Sequence, residues 1–232
     1  MRPYFPRVEN GVTCLLIETN QGPVLVDTGF GTQDYLHPGK RMNFFLKMMR
    51  SERDVNETAL YQLQRFGYKR EDVKHIIQTH LHLDHAGGLP DFPNAQVHLY
   101  KPEHDHILSH RSWEYIPDHW KHNPHWVLHE LANDKWFEFE AIKLEGFEPE
   151  IWLVPLTGHT TGHMAVAVKQ DQAWVMHGGD AVPFNAMMEG PPDWLSKILL
   201  GPHIPRIRKF IETNPQVKLA GSHMVLDFYN KV

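Results

Sequence analysis

The sequence predicts an α/β layered domain, with two sheets packed face to face and helices outside. Three observations predict it. Short runs of strand length, rich in Val, Ile or Trp, recur in both halves of the chain. Stretches of helical period follow strands in both halves, the pattern of an α/β layered architecture. The chain has 232 residues, which favours one domain spanning 1–232 and is enough to bury a proper core.

The elements follow in order. Val12–Glu18 and Pro23–Asp27 are apolar runs joined by Thr-Asn-Gln-Gly, a β-hairpin pattern. Asp27-Thr-Gly ends the second run in a turn. Asn56–Phe66 is helical, with Ala59, Leu60, Leu63 and Phe66 on one face, Asn56 as cap and Gly67 as stop. Val73–Gln78 and Gln96–Tyr100 are strands. So are Ile151–Leu156, Met164–Lys169, Ala173–His177 and Val217–Ala220. Ile204–Thr213 is an amphipathic helix with Ile204, Ile207 and Ile211 on one side. The segment 101–135 carries seven histidines (104, 106, 110, 119, 122, 125 and 129) and follows no single helical stripe. It predicts one or two helices plus loop, with packing or solvated histidines rather than a further metal site.

Composition narrows the function. A single cysteine, Cys14, excludes an internal disulfide and fits a reducing, cytoplasmic setting. Cys14 falls in a strand run and is expected to act as a small buried hydrophobe. MRPYFPRVEN shows no secretory pattern, and no run approaches a membrane span. The net charge of −5 and pI near 6.4 argue against nucleic acid as a partner. The count of 18 histidines is high, and histidine is the commonest metal ligand.

The sharpest motif is Thr-His-Leu-His-Leu-Asp-His-Ala-Gly-Gly, residues 79–88. Two-residue spacing lets His80 and His82 reach one ion from the end of a strand. Asp84 and His85 come where the chain turns and can face a second ion. Three later pieces sit at strand ends, where ligands collect at a sheet edge: His159 in Thr-Gly-His-Thr-Thr-Gly-His, Asp180 in Gly-Gly-Asp, and His223 in Gly-Ser-His.

In this order the residues resemble the metallo-β-lactamase superfamily, over nearly the whole chain and including the Asp27-Thr-Gly turn. The resemblance implies a four-layer αβ/βα sandwich. It implies that His80, His82 and His159 hold one metal, that Asp84, His85 and His223 hold a second, and that Asp180 bridges them. Asp27 resembles an aspartate that orients the ligand loop, and His163 is read as a hydrogen-bonding residue. The nitrogen and oxygen ligand set suits two zinc ions, and also iron, manganese or cobalt. Such a site implies a hydrolase in which a bridging hydroxide attacks a carbonyl, with the ions about 3.5–4 Å apart and Asp84 passing the proton.

Acyl-homoserine lactonases are the branch most similar overall, but they carry a tyrosine three residues after the bridging aspartate, and here that residue is Pro183. Tyr115, Tyr35 or a histidine of the middle segment could supply the missing donor. The expected substrate is a small carboxylic ester or lactone with an apolar portion. The apolar stretches Met42–Met49 and Ala186–Leu200 are candidate lids, substrate walls or homodimer contacts, with Phe44, Phe45, Phe184 and Trp194 as candidate pocket residues. A glyoxalase II-like thioesterase, an iron-dependent sulfur oxygenase and a non-catalytic metal-binding module are the alternatives.

Overall fold

The computed structural model describes residues 11–130, 132–188 and 203–223. Among these, eleven strands form two sheets. The first runs in the order β1 (Leu15–Thr19), β2 (Gly22–Val26), β3 (His75–Ile77), β4 (Gln96–Tyr100), β5 (His125–His129). The second runs β11 (Val217–Ala220), β10 (Ala173–His177), β9 (Met164–Gln170), β8 (Ile151–Pro155), β7 (Phe139–Leu144), β6 (Asp134–Trp136). The helices are α1 (Thr32–Leu36), α2 (Lys40–Met48), α3 (Ala59–Arg65), α4 (Lys101–Ser109) and α5 (Ile204–Thr213).

Period-two alternation assigns each strand face to a layer. In β9, Met164, Val166 and Val168 face Ile17, Val24, Val26 and Ile77 of the first sheet, forming the core between the sheets. Ala165 and Ala167 point the other way, into a cluster with Ile204, Ile207 and Phe210 of α5. On the far side, Leu25, Ile76, Val97 and Leu99 share a cluster with Leu63 of α3. The result is helix, sheet, sheet, helix, the four-layer order expected.

The strands and helices expected from the sequence form within a few residues of their bounds, with four corrections. The segment Asn56–Phe66 splits into a 3-10 turn, Val55–Glu57, and α3, which Thr58 rather than Asn56 precedes. Asn56 N–H instead donates to the Asp54 carboxylate, which caps the 3-10 turn. Cys14 lies before β1 and is half-buried, and burial together with Asp27 pushes its enclosed thiol up. The segment 101–135 is not helix and loop alone: it also supplies β5 and starts β6, and β5 is hidden in the sequence because it reads His-Trp-Val-Leu-His. Finally, β7 forms where the sequence pattern marks no element. Residues 189–202, and with them Trp194, lie outside the described residues. Among the described residues no helix is long and apolar enough to cross a membrane.

The inner face of the first sheet carries a polar diagonal. His75 Nδ1 lies 3.1 Å from His98 Nε2, and His98 Nδ1 lies 3.1 Å from His129 Nε2. Each step is offset by two residues across neighbouring strands. Neutral rings can share one proton at each contact; doubly protonated ones cannot. Burial, then His129 and His75, lower His98 to about 3. A histidine depressed in the folded state stabilises the fold above its unfolded value near 6.5, and that stability drains away as pH falls towards about 3. Unfolding free energy of chelator-treated protein should therefore fall from pH 7 to pH 5. In His98→Gln the slope should be shallower by up to about 1.4 kcal/mol per pH unit. Equal slopes for the two proteins in urea titrations would remove His98 as the acid-sensitive group.

Candidate metal centre

The centre forms where strand ends from both sheets meet. β3 runs through Gln78 and Thr79 into His80, and the Thr79 carbonyl accepts from Met164 N–H at the start of β9 (3.0 Å). That bond ties the ligand loop to the opposite sheet. His177 and Ala220 are paired in the parallel strands β10 and β11. Asp180 and His223 each lie three residues further on, so the strand register brings them to the same point. His159 enters from the loop between β8 and β9.

All seven predicted residues converge. His80, His82 and His159 form one group able to hold an ion, Asp84, His85 and His223 another, and His80, His85 and Asp180 a third, the ligand atoms of each within 4.8 Å of one another. Asp180 stands between the halves. Its Oδ2 is 3.3 Å from His159 Nε2, while its Oδ1 is 3.2 Å from His85 Nε2 and 3.3 Å from His223 Nε2. His82 Nδ1 and His159 Nε2 face each other at 3.1 Å.

The donor set fits divalent cations. The ε nitrogen of His80 is buried without a hydrogen-bond partner, and a bound ion would satisfy it. Burial, then His85 and His82, hold His80 well below the usual histidine range, so its ring is neutral and its lone pair available. Burial and His159 bring His82 down to about 3. Burial pulls His85 the same way, but Asp180, Asp84 and Asp27 outweigh it and hold its imidazole well above the usual range. Burial pushes Asp180 up, yet His85 and His223 hold it well below the carboxylate range. A bound cation would replace the His85 proton beside Asp180.

Supporting contacts fix the ligands. Asp27, fully buried, accepts from Thr79 N–H and Thr79 O–H (both 2.8 Å) and meets His85 Nδ1 at 2.8 Å. Its φ of 57° is unusual for a residue other than glycine and turns the chain under the ligand loop. His163 accepts from Asp180 N–H (3.0 Å) rather than joining the ligand groups. Gly179, with φ 51°, leaves the room His163 occupies: a Cβ there would lie 2.5 Å from its Nε2.

Two contributors are missed by sequence reasoning. Ser222 donates to Asp180 Oδ1 (2.5 Å), although Gly-Ser-His marks its neighbour. Glu103 is fully buried and accepts from Leu81 N–H, between His80 and His82. No pattern announces it, since Lys-Pro-Glu-His-Asp reads as an ordinary helix start.

Tyr115 does not stand in as a free donor for the absent tyrosine. The Tyr115 ring packs on His82 (5.0 Å), but its hydroxyl donates to Glu103 (3.1 Å) and is not free for the centre. Pro183 braces the site instead: its carbonyl accepts from His223 N–H (2.9 Å). Phe184 lies beside the His223 ring at 5.8 Å. Phe45 packs with Phe30, Met42 and Leu83, whereas Phe44 is 66 % exposed and does not join them. The middle histidines divide between packing and solvent: His119 is buried against Asp34 (2.9 Å), His106 stacks on the exposed His110, and His125 is exposed.

A seven-residue centre at the strand ends of an αβ/βα sandwich defines a class of metalloprotein. The chain belongs to the metallo-beta-lactamase superfamily, whose model matches residues 7–212. It is 41 % identical over 182 residues to a probable metallo-hydrolase of Mycobacterium tuberculosis, covering 76 % of this chain and 58 % of that protein. It is 32 % identical over 168 residues to an N-acyl homoserine lactonase of Bacillus thuringiensis, covering 70 % and 60 %. The chain thus spans about three fifths of the length of these relatives. Its fold is similar to that of an N-acyl homoserine lactone hydrolase with N-hexanoyl-L-homoserine bound at its catalytic metal centre: TM-score 0.69, 22 % identity, 96 % of this chain and 85 % of that one. It is also similar to a dizinc quorum-quenching lactonase, at TM-score 0.63 and 19 % identity over 94 % of this chain and 74 % of the other.

Proposed function

We propose that the protein is a hydrolase using two divalent metal ions to cleave a carboxylic ester or lactone with an apolar portion. The observation that carries this reading is Asp180, which turns one oxygen towards each half of the ligand set. His80, His82 and His159 would hold one ion, Asp84, His85 and His223 the other, and Asp180 would bridge them. A nitrogen and oxygen set of this kind suits zinc, and equally iron, manganese or cobalt. When bound, such ions supply Lewis acidity, lowering the pKa of water and polarising a carbonyl.

The chain's own residues do the rest. Asp27 orients His85 and the start of the ligand loop through three bonds, so both arrive preset. Asp84 is the more open of the two carboxylates, with its Oδ2 3.9–4.0 Å from the ε nitrogens of His223 and His85. It would take the proton from the attacking water and return it to the leaving group. Phe184 offers an apolar wall next to His223. The lactonase names of relatives point the same way, and the departure at Pro183 directs the choice towards substrates that do not need a phenol at that point.

The experiment is a panel of lactones, esters and thioesters of increasing acyl length, with metal content measured on the same sample. Hydrolysis of the oxygen esters or lactones with two metals bound is expected. Two metals with turnover of thioesters alone would transfer the reading to a thioesterase, and two metals with no hydrolysis would overturn it. Phe45→Ser should shift the preferred acyl length, while exposed Phe44→Ser should leave both preference and stability within about 0.5 kcal/mol of the parent. Unchanged preference in Phe45→Ser would remove that wall from the substrate.

A further inference from the structure

We infer that Glu103 is the positioning residue that clamps together the two ligand-bearing segments of the His80, His82 and His159 half of the centre; this rests on the two-metal reading. Glu103 is the third residue of α4 and is fully buried. An ionised carboxylate has about four lone-pair positions, and here four donors fill them. Oε1 accepts from Leu81 N–H (3.0 Å) and Tyr115 O–H (3.1 Å). Oε2 accepts from Thr160 O–H (2.6 Å) and Gly162 N–H (3.1 Å).

Each donor belongs to, or packs on, a ligand-bearing segment. Leu81 lies between His80 and His82. Thr160 follows His159, and Gly162 belongs to the same loop. The Tyr115 ring packs against His82 at 5.0 Å. One carboxylate therefore clamps both ligand-bearing segments of one half, which come from different sheets. The approach is built in: a Cβ on Gly162 would lie 2.1 Å from the Glu103 backbone nitrogen. Asp27 works beside it, holding His85 directly and Thr79, whose hydroxyl lies 3.0 Å from His80 Nδ1. Buried anions placed near ligands also offset the charge of bound cations.

The test is cobalt titration of the chelator-treated full chain, followed by visible absorption and chelator competition, with no need of turnover. The parent should bind two equivalents. In Glu103→Gln the amide nitrogen confronts two donors, and one equivalent should weaken by roughly ten- to a hundred-fold. The other should stay at the parent affinity. His82→Ala should lose that same equivalent, and His223→Ala should weaken the other. Thr160→Val and Tyr115→Phe remove one donor each without stranding the carboxylate. They should weaken the Glu103-dependent equivalent to a smaller degree, so the inference stays testable even where Glu103→Gln does not fold. Folded Glu103→Gln with both equivalents at parent affinity, or with both weakened alike, would overturn the inference while leaving two metals in place. It is equally overturned if Glu103→Gln does not fold and Thr160→Val and Tyr115→Phe both bind like the parent. A parent that binds fewer than two equivalents would overturn the two-metal reading and this inference with it.

Discussion

Asp84→Asn is expected to lower kcat by about 10²–10⁴-fold, the range for loss of a general acid or base. Asparagine keeps an oxygen where Asp84 has one but cannot accept a proton. The buried Asp180 cannot substitute, because both its oxygens face histidines and one also takes the Ser222 hydroxyl. Asp84→Ala removes the ligand oxygen as well and should lower both metal content and turnover. Steady-state kinetics on Asp84→Asn, with metal content matched to the parent, separates the two roles. Parent-like kcat in metal-replete Asp84→Asn would remove Asp84 from proton transfer.

The second large effect is at Asp27. Its loss leaves two Thr79 donors and His85 Nδ1 without their acceptor in a fully buried place. Removing one partner of a buried charged pair costs roughly 3–5 kcal/mol, a large share of the ~5–15 kcal/mol that holds a typical domain. Asp27→Ala should therefore unfold at markedly lower urea concentration and bind metal roughly ten- to a hundred-fold more weakly. Asp27→Asn should be milder, since asparagine tolerates the positive φ and can still accept from Thr79 N–H. An Asp27→Ala protein whose unfolding free energy stays within about 0.5 kcal/mol of the parent would show that these bonds do not stabilise the fold.

What can be read from the sequence divides on physical lines. The seven clustered residues are legible because each sits in a short local pattern at a strand end, and strand register then does the assembly, as for Asp180 and His223. The strands with pure Val, Ile and Leu character are legible for the same reason. β5 is not, because its ends are histidines, one exposed (His125) and one (His129) serving a hydrogen-bonded diagonal inside the sandwich, rather than a visible alternation. Glu103 is not, because its meaning lies in four donors from three distant segments, which no local spacing encodes. Tyr115 is legible only as a hydroxyl near the centre; that Glu103 already holds it is a property of packing.

The most direct measurement of the central claim joins binding to turnover. Chelator-treated protein is titrated with zinc or cobalt, and hydrolysis of the best panel substrate is followed in the same samples. With Asp180 spanning both halves, hydrolysis should stay near background through the first equivalent and rise to its maximum as the second binds, and Asp180→Ala should abolish that rise. Full activity at one equivalent, or an Asp180→Ala protein that reaches parent activity at two, would contradict the bridged two-metal centre.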